Sequence, residues 1–269
     1  MTTHSIVVAF GLTLVAGLAT GIGGLIALIA KRTNTKFLCV SLGFSAGVML
    51  YVSFMDLMPM AKEELTLYLG EKVGMLGLLL AFFGGMGIIT LIDFLIPKKN
   101  NPHEFHGIEE MNKTDSRQRS LHRVGMLVAL SLVIHNFPEG IAVFTSAVTG
   151  GFSIAIPIAI AIAIHNIPEG IAVSVPIYHA TGNKRKAFWF SFLSGLAEPL
   201  GALVAYLFLM PFWSPLINGI VMAAVAGIMV YISLDELLPT AEKYGKHHLS
   251  ISGMIAGMVI MAFSLYLFM

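Results

Sequence analysis

With 269 residues, 57% of them hydrophobic and 12% charged, and a mean hydropathy of +0.84, the chain is far too apolar for a soluble globule, whose charged share is about a quarter. A net charge of +1 gives no signal for nucleic acid, and the single cysteine, Cys39, excludes an internal disulfide and a thiolate metal cage. These features define an all-α integral membrane protein.

A spanning helix takes ~20 apolar residues. In chain order the sequence offers eight such stretches: 5–30, 36–60, 71–96, 122–148, 152–178, 187–210, 214–238 and 250–269. The first has no basic leader and is followed by Lys31 and Arg32, so a retained helix is expected rather than a cleaved signal. The only long polar stretch, 97–121, lies between the third and fourth spans. Its His103-Glu104-Phe105-His106 run fits a solvated, flexible linker better than a site.

Charge sets the orientation. With the N-terminus outside, fourteen of the sixteen Lys and Arg fall on inner connections, and only Lys62 and Lys72 lie outside. That bias predicts both termini outside, a cytoplasmic 97–121 loop and one membrane domain covering 1–269.

Repeats give the internal organisation. Ala46-Gly47, Met49, Tyr51, Ser53, Pro59 and Ala61 in span two return as Ala226-Gly227, Met229, Tyr231, Ser233, Pro239 and Ala241 in span seven. H-N-F-P-E-G at His135 to Gly140 in span four returns as H-N-I-P-E-G at His165 to Gly170 in span five. A weaker echo joins Gly17-Leu18-Ala19-Thr20 to Gly195-Leu196-Ala197-Glu198. Each pair joins spans an odd number of crossings apart, so its members run in opposite directions. This predicts a 3+2+3 inverted repeat, the plan of alternating-access carriers. The glycine runs Gly21-Ile22-Gly23-Gly24, Gly43 to Gly47 and Gly84-Gly85 are expected as helix-packing surfaces, not phosphate loops.

The repeated hexapeptide carries the chemistry. At about 100° per residue, Glu139 sits angularly between His135 and Asn136, where its carboxylate can bridge two cations. His165, Asn166 and Glu169 repeat the arrangement on an antiparallel neighbour. His135, His165 and Glu198 each fall near the centre of their own span, whereas no Lys or Arg lies at that depth. Three carboxylates without basic partners need protons or metal. Pro138 and Pro168 cannot donate to Ile134 and Ile164, which frees a carbonyl in each helix. Imidazole, amide and carboxylate together suit Zn, Fe(II), Mn, Co and Cd. Met49 is a candidate soft ligand, while Asp56 is placed at an outer mouth and Asp235 and Glu236 at an inner one.

The paired H-N-x-P-E-G helices, the eight spans, the inverted repeat and S-G-L-A-E at Ser194 to Glu198 together resemble the ZIP family of divalent metal transporters over essentially the whole chain. The resemblance implies uptake of zinc, and more broadly of iron, manganese, cobalt or cadmium, across the bacterial cytoplasmic (inner) membrane. It also implies a binuclear centre, with one site formed by Glu139, His165, Glu169 and His135, and the other by Asn136, Glu139, Asn166, Glu169 and Glu198. The metals are cargo rather than catalytic cofactors, and no enzyme activity is expected. The expected partners are divalent ions and the lipid bilayer, with a homodimer as a further expectation and no nucleic acid. Two alternatives stand beside the carrier. One is a selective metal channel. The other, an intramembrane zinc hydrolase, is disfavoured because the residue beside each histidine is asparagine, which cannot act as a base.

Overall fold

The computed structural model describes residues 3–29, 35–95, 133, 136–148 and 151–268. The expectations for the 97–121 loop, the first part of the fourth span, and His135 lie outside the described residues. Among those described, all regular structure is helical.

α1 is Thr3–Ile29 and α2 is Thr35–Val52, which continues through a π turn, Ser53–Leu57, into α3, Met58–Leu69. Gly70, with φ 80°, ends that run, and α4 follows at Glu71–Leu95. α5 covers residues 136–148, and α6 is Phe152–Thr181. α7, Lys184–Gly195, is joined through Leu196 to α8, Ala197–Val204, which passes by a π turn and a short 3₁₀ turn to Phe212. α9, Pro215–Ile232, a third π turn at Ser233–Leu237 and α10, Leu238–Tyr244, make one continuous run, and α11 is His247–Phe268.

Six runs among the described residues are long and apolar enough to cross a membrane: Ser5–Ile26, Cys39–Leu69, Glu71–Ile92, Lys184–Phe212, Pro215–Lys243 and His247–Tyr266. Rows of bulky apolar side chains stay exposed on them. Val73, Leu76, Leu80 and Phe83 follow helical spacing on α4, as do Ile255, Val259 and Phe263 on α11. A face of this kind suits hydrocarbon rather than water.

Pro59 and Pro239 do not end their helices where the apolar stretches 36–60 and 214–238 would place the boundary. Each lies just after a π turn, in the first turn of the helix that follows, where its missing N–H is tolerated, and the helix continues to Leu69 or Tyr244. α6 likewise runs unbroken through Pro157, Pro168 and Pro176.

Close backbone approach holds the bundle. A Cβ on Gly47 would strike the Met254 carbonyl, and one on Gly257 the Phe44 carbonyl, which locks α2 to α11. The same contacts return between α9 and α4, where Gly227 meets the Phe82 carbonyl and Gly85 the Ala224 carbonyl. Only glycine allows backbones this near. Gly84, by contrast, has nothing within 4 Å of its would-be Cβ among the described residues. The main core lies between these pairs and includes Leu42, Met49, Leu57, Leu65, Met222 and Met261, all fully buried.

Candidate metal centre

α1, α5, α6, α7 and α8 position the repeated motif. Asn136, Glu139, Asn166, Glu169 and Glu198 are each 0% exposed. Asn136 donates from Nδ2 to the Ser194 carbonyl at 3.2 Å, one turn before Glu198. Asn166 donates to the Ala16 carbonyl at 3.0 Å and makes a second, shorter hydrogen bond to Glu198 Oε1. Each asparagine therefore ties its helix to a different neighbour, α5 to α7 and α6 to α1.

The motif glycines bring the backbones in. A Cβ on Gly140 would lie 2.6 Å from Glu198 C and 2.7 Å from its Cα, and one on Gly170 would lie 2.8 Å from Thr20 C. Opposite them, Gly201 faces the Phe137 carbonyl, and Gly23 faces the Ile167 carbonyl. Ser191 Oγ closes the α1–α6–α7 junction, donating to the Thr20 carbonyl at 2.9 Å and the Gly170 carbonyl at 3.1 Å.

Glu139 adjoins Gly140, which abuts the Glu198 backbone, and Glu169 lies one turn beyond Asn166, which bonds the Glu198 carboxylate. Three acids thus share one buried region, while among the described residues no Lys or Arg is buried. Glu198 Oε2, Asn136 Oδ1 and Asn166 Oδ1 are buried and accept no hydrogen bond from described residues. Buried acceptors of this kind are costly unless a donor or cation serves them.

Of the seven predicted site residues, five come together here. His135 lies outside the described residues. His165 belongs to α6, but its side chain also lies outside the described set, and among described residues no group of three His, Cys, Asp or Glu side chains could hold a metal ion.

Met49 is packed in the core, with its Sδ 3.8 Å from Ser233 Oγ of the neighbouring π turn. Asp56 lies in the first π turn, its Oδ2 buried and without a hydrogen bond from described residues, and Asp235 and Glu236 occupy the third. The carbonyls of Ala16 and Ser194, which hold the asparagines, carry no signature in the sequence beyond the echo between Gly17–Thr20 and Gly195–Glu198.

A multi-pass membrane protein, helical throughout its described secondary structure, with a buried carboxylate–amide centre is the class these features define. The ZIP zinc transporter family model matches residues 95–265. The chain is 60% identical over 260 residues to the zinc transporter ZupT of Streptococcus mutans, covering 97% of each chain. It is 56% identical over 278 residues to the zinc transporter ZupT of Clostridium perfringens, covering 98% of this chain and 97% of that one. Over 267 residues it is 54% identical to the zinc transporter ZupT of Chlorobium chlorochromatii, covering 99% of both. The chain belongs to the ZIP family of zinc transporters.

Proposed function

We infer that this chain carries zinc into the cell across the bacterial cytoplasmic membrane, through a binuclear site at the middle of the bundle. The carrying observation is the meeting of Glu139, Glu169 and Glu198 in a fully buried region, with Asn136 and Asn166 beside them and no buried basic residue among the described set. Two divalent cations would turn the three negative charges into a net +1, and one would leave −1. His135 and His165 complete the proposed ligand set, with Glu139 and Glu169 bridging. Because its donors are imidazole, amide and carboxylate, the site also accepts iron, manganese, cobalt and cadmium.

The proposal includes eight spans with both termini outside, a cytoplasmic 97–121 loop and an inverted 3+2+3 repeat. Contacts that recur between corresponding positions support the repeat. Gly47–Met254 answers Gly227–Phe82, and Asn136–Ser194 answers Asn166–Ala16. A bundle of two like halves facing opposite ways can expose one site to either side in turn, which favours a carrier. An inside-negative potential would assist entry by ~4.6 kcal/mol per 100 mV for a divalent ion, from ~2.3 per charge.

The test is uptake of radioactive zinc by cells lacking their own uptake systems and producing this protein. Glu139→Ala and Glu169→Ala are expected to fall to the level of cells without the protein while still inserting in the membrane. Normal uptake by either would refute the bridging assignment.

A further inference from the structure

The five buried site side chains do not exhaust the polar groups at their level. Thr20 on α1 is 0% exposed, and its Oγ1 takes part in no hydrogen bond among the described residues. The other buried helical threonines among the described residues bond to a carbonyl one turn back, Thr13 to Phe10 at 2.9 Å and Thr145 to Ile141 at 2.7 Å. An idle hydroxyl in a membrane-buried position calls for a physical reason.

The paired contacts supply one. Asn136 reaches the Ser194 carbonyl as Asn166 reaches the Ala16 carbonyl. Gly140 abuts Glu198 as Gly170 abuts Thr20, and Gly201 faces the Phe137 carbonyl as Gly23 faces that of Ile167. All three pairs of contacts follow one correspondence, and it carries Glu198 onto Thr20 and Asn166 onto Asn136. On one side the result is a hydrogen-bonded amide and carboxylate. On the other, the corresponding residues are Thr20 and Asn136; the Asn136 amide donates to the Ser194 carbonyl, and Thr20 Oγ1 is left buried and without a hydrogen bond among the described residues.

We propose that Thr20 is a metal-facing residue of the transport site, its hydroxyl oxygen an uncharged ligand for a divalent cation at the position where the other half of the repeat holds Glu198. The proposal rests on the metal-uptake reading given above. It makes the two halves of the centre unequal, because a carboxylate on one side corresponds to an uncharged hydroxyl on the other. The Glu198 side holds an ion by charge. The Thr20 side holds one more weakly and releases it more readily. The competing account is that Thr20 only fills space between α1 and α7, since a Cβ on Gly195 would lie 2.9 Å from Thr20 Cβ.

A thiol reporter separates the two accounts. In a Cys39→Ser parent, Thr20→Cys places the only thiol at this position, and cadmium takes thiolate ligands readily. The purified protein titrated with cadmium is expected to develop an ultraviolet cadmium–thiolate charge-transfer band that the parent lacks. Thr20→Val, which keeps the shape and loses the oxygen, is expected to raise the KM for zinc uptake about ten-fold, the scale seen when groups supporting a metal site are removed. Thr20→Ser should keep the parent KM. Absence of the band from a Thr20→Cys protein that still takes up cadmium overturns the proposal, as does a Thr20→Val KM equal to that of the parent. A parent that takes up no zinc at all removes the uptake reading and this proposal with it, an outcome distinct from failure at Thr20 alone.

Discussion

Gly170→Ala puts a methyl group where α6 meets α1. The new Cβ would lie 2.8 Å from Thr20 C and 3.0 Å from Gly24 N, and it would collide with the Thr20 carbonyl oxygen. Carbon atoms settle at about 3.5–4.0 Å, so the carbon contact alone requires the helices to part by at least about 0.7 Å, and the nearer carbonyl oxygen requires more. Every atom struck is backbone, so no side-chain rotation relieves the clash. Overpacking of this severity costs about 3 kcal/mol, the upper part of the usual range. Replacing glycine by alanine within a helix returns about 1 kcal/mol. The net loss is about 2 kcal/mol, a fall of about 4–8 °C in the thermal midpoint of the detergent-solubilised protein. Gly11→Ala is the control, since its Cβ meets nothing within 4 Å, and it should be neutral or slightly stabilising. Gly23→Ala opens the same interface from the other side, its Cβ lying 2.8 Å from Ile167 C and 3.1 Å from Gly170 Cα. The double variant should therefore lose about 1 kcal/mol less than the sum of the two single losses. A Gly170→Ala protein that melts with the Gly11→Ala control, or strict additivity with Gly23→Ala, would refute the contact argument.

Asn166→Leu removes the donor to both the Ala16 carbonyl and the buried Glu198 carboxylate, and should cost about 2–3 kcal/mol in thermal unfolding. Asn136→Leu gives up a single bond to the Ser194 carbonyl and should cost about 1 kcal/mol, so equal losses would contradict the asymmetry. Cys39 is buried, with its Sγ 3.9 Å from the Lys246 carbonyl, so the folded protein should resist maleimide and the unfolded one should take up one equivalent. Labelling of the folded protein at the rate of an exposed thiol would place the α10–α11 turn elsewhere.

Much of this architecture can be read from the residues, because apolar length and repetition are one-dimensional signals. The helical runs appear as apolar stretches, and the site acids appear as charges where hydrocarbon belongs. Gly23, Gly24, Gly43, Gly47 and Gly85 were legible as packing residues because small side chains clustered on apolar helices have few other uses. Gly140 and Gly170 were hidden inside a motif whose other members drew the chemical reading. The helix extents past Pro59 and Pro239 were not legible either, since proline in a sequence signals a boundary, and only the surrounding packing lets a π turn absorb it. The anchoring of Asn136 and Asn166 depends on carbonyls of Ser194 and Ala16, and a backbone acceptor is chemically the same at every position. The faint echo already pairs Thr20 with Glu198, but that its hydroxyl is buried and unbonded among the described residues depends on packing that no sequence pattern carries.

The π turns at Ser53–Leu57 and Ser233–Leu237 also act as angular spacers. Each accommodates one residue more than an α-helical turn would. Deleting that residue would wind every later side chain back by about 100°. Asp56 would then take the bearing of Met55, which is 57% exposed on the apolar surface, and Asp235 that of Leu234, which is 54% exposed. One surplus residue in each of two helices thus keeps these acids turned away from the lipid.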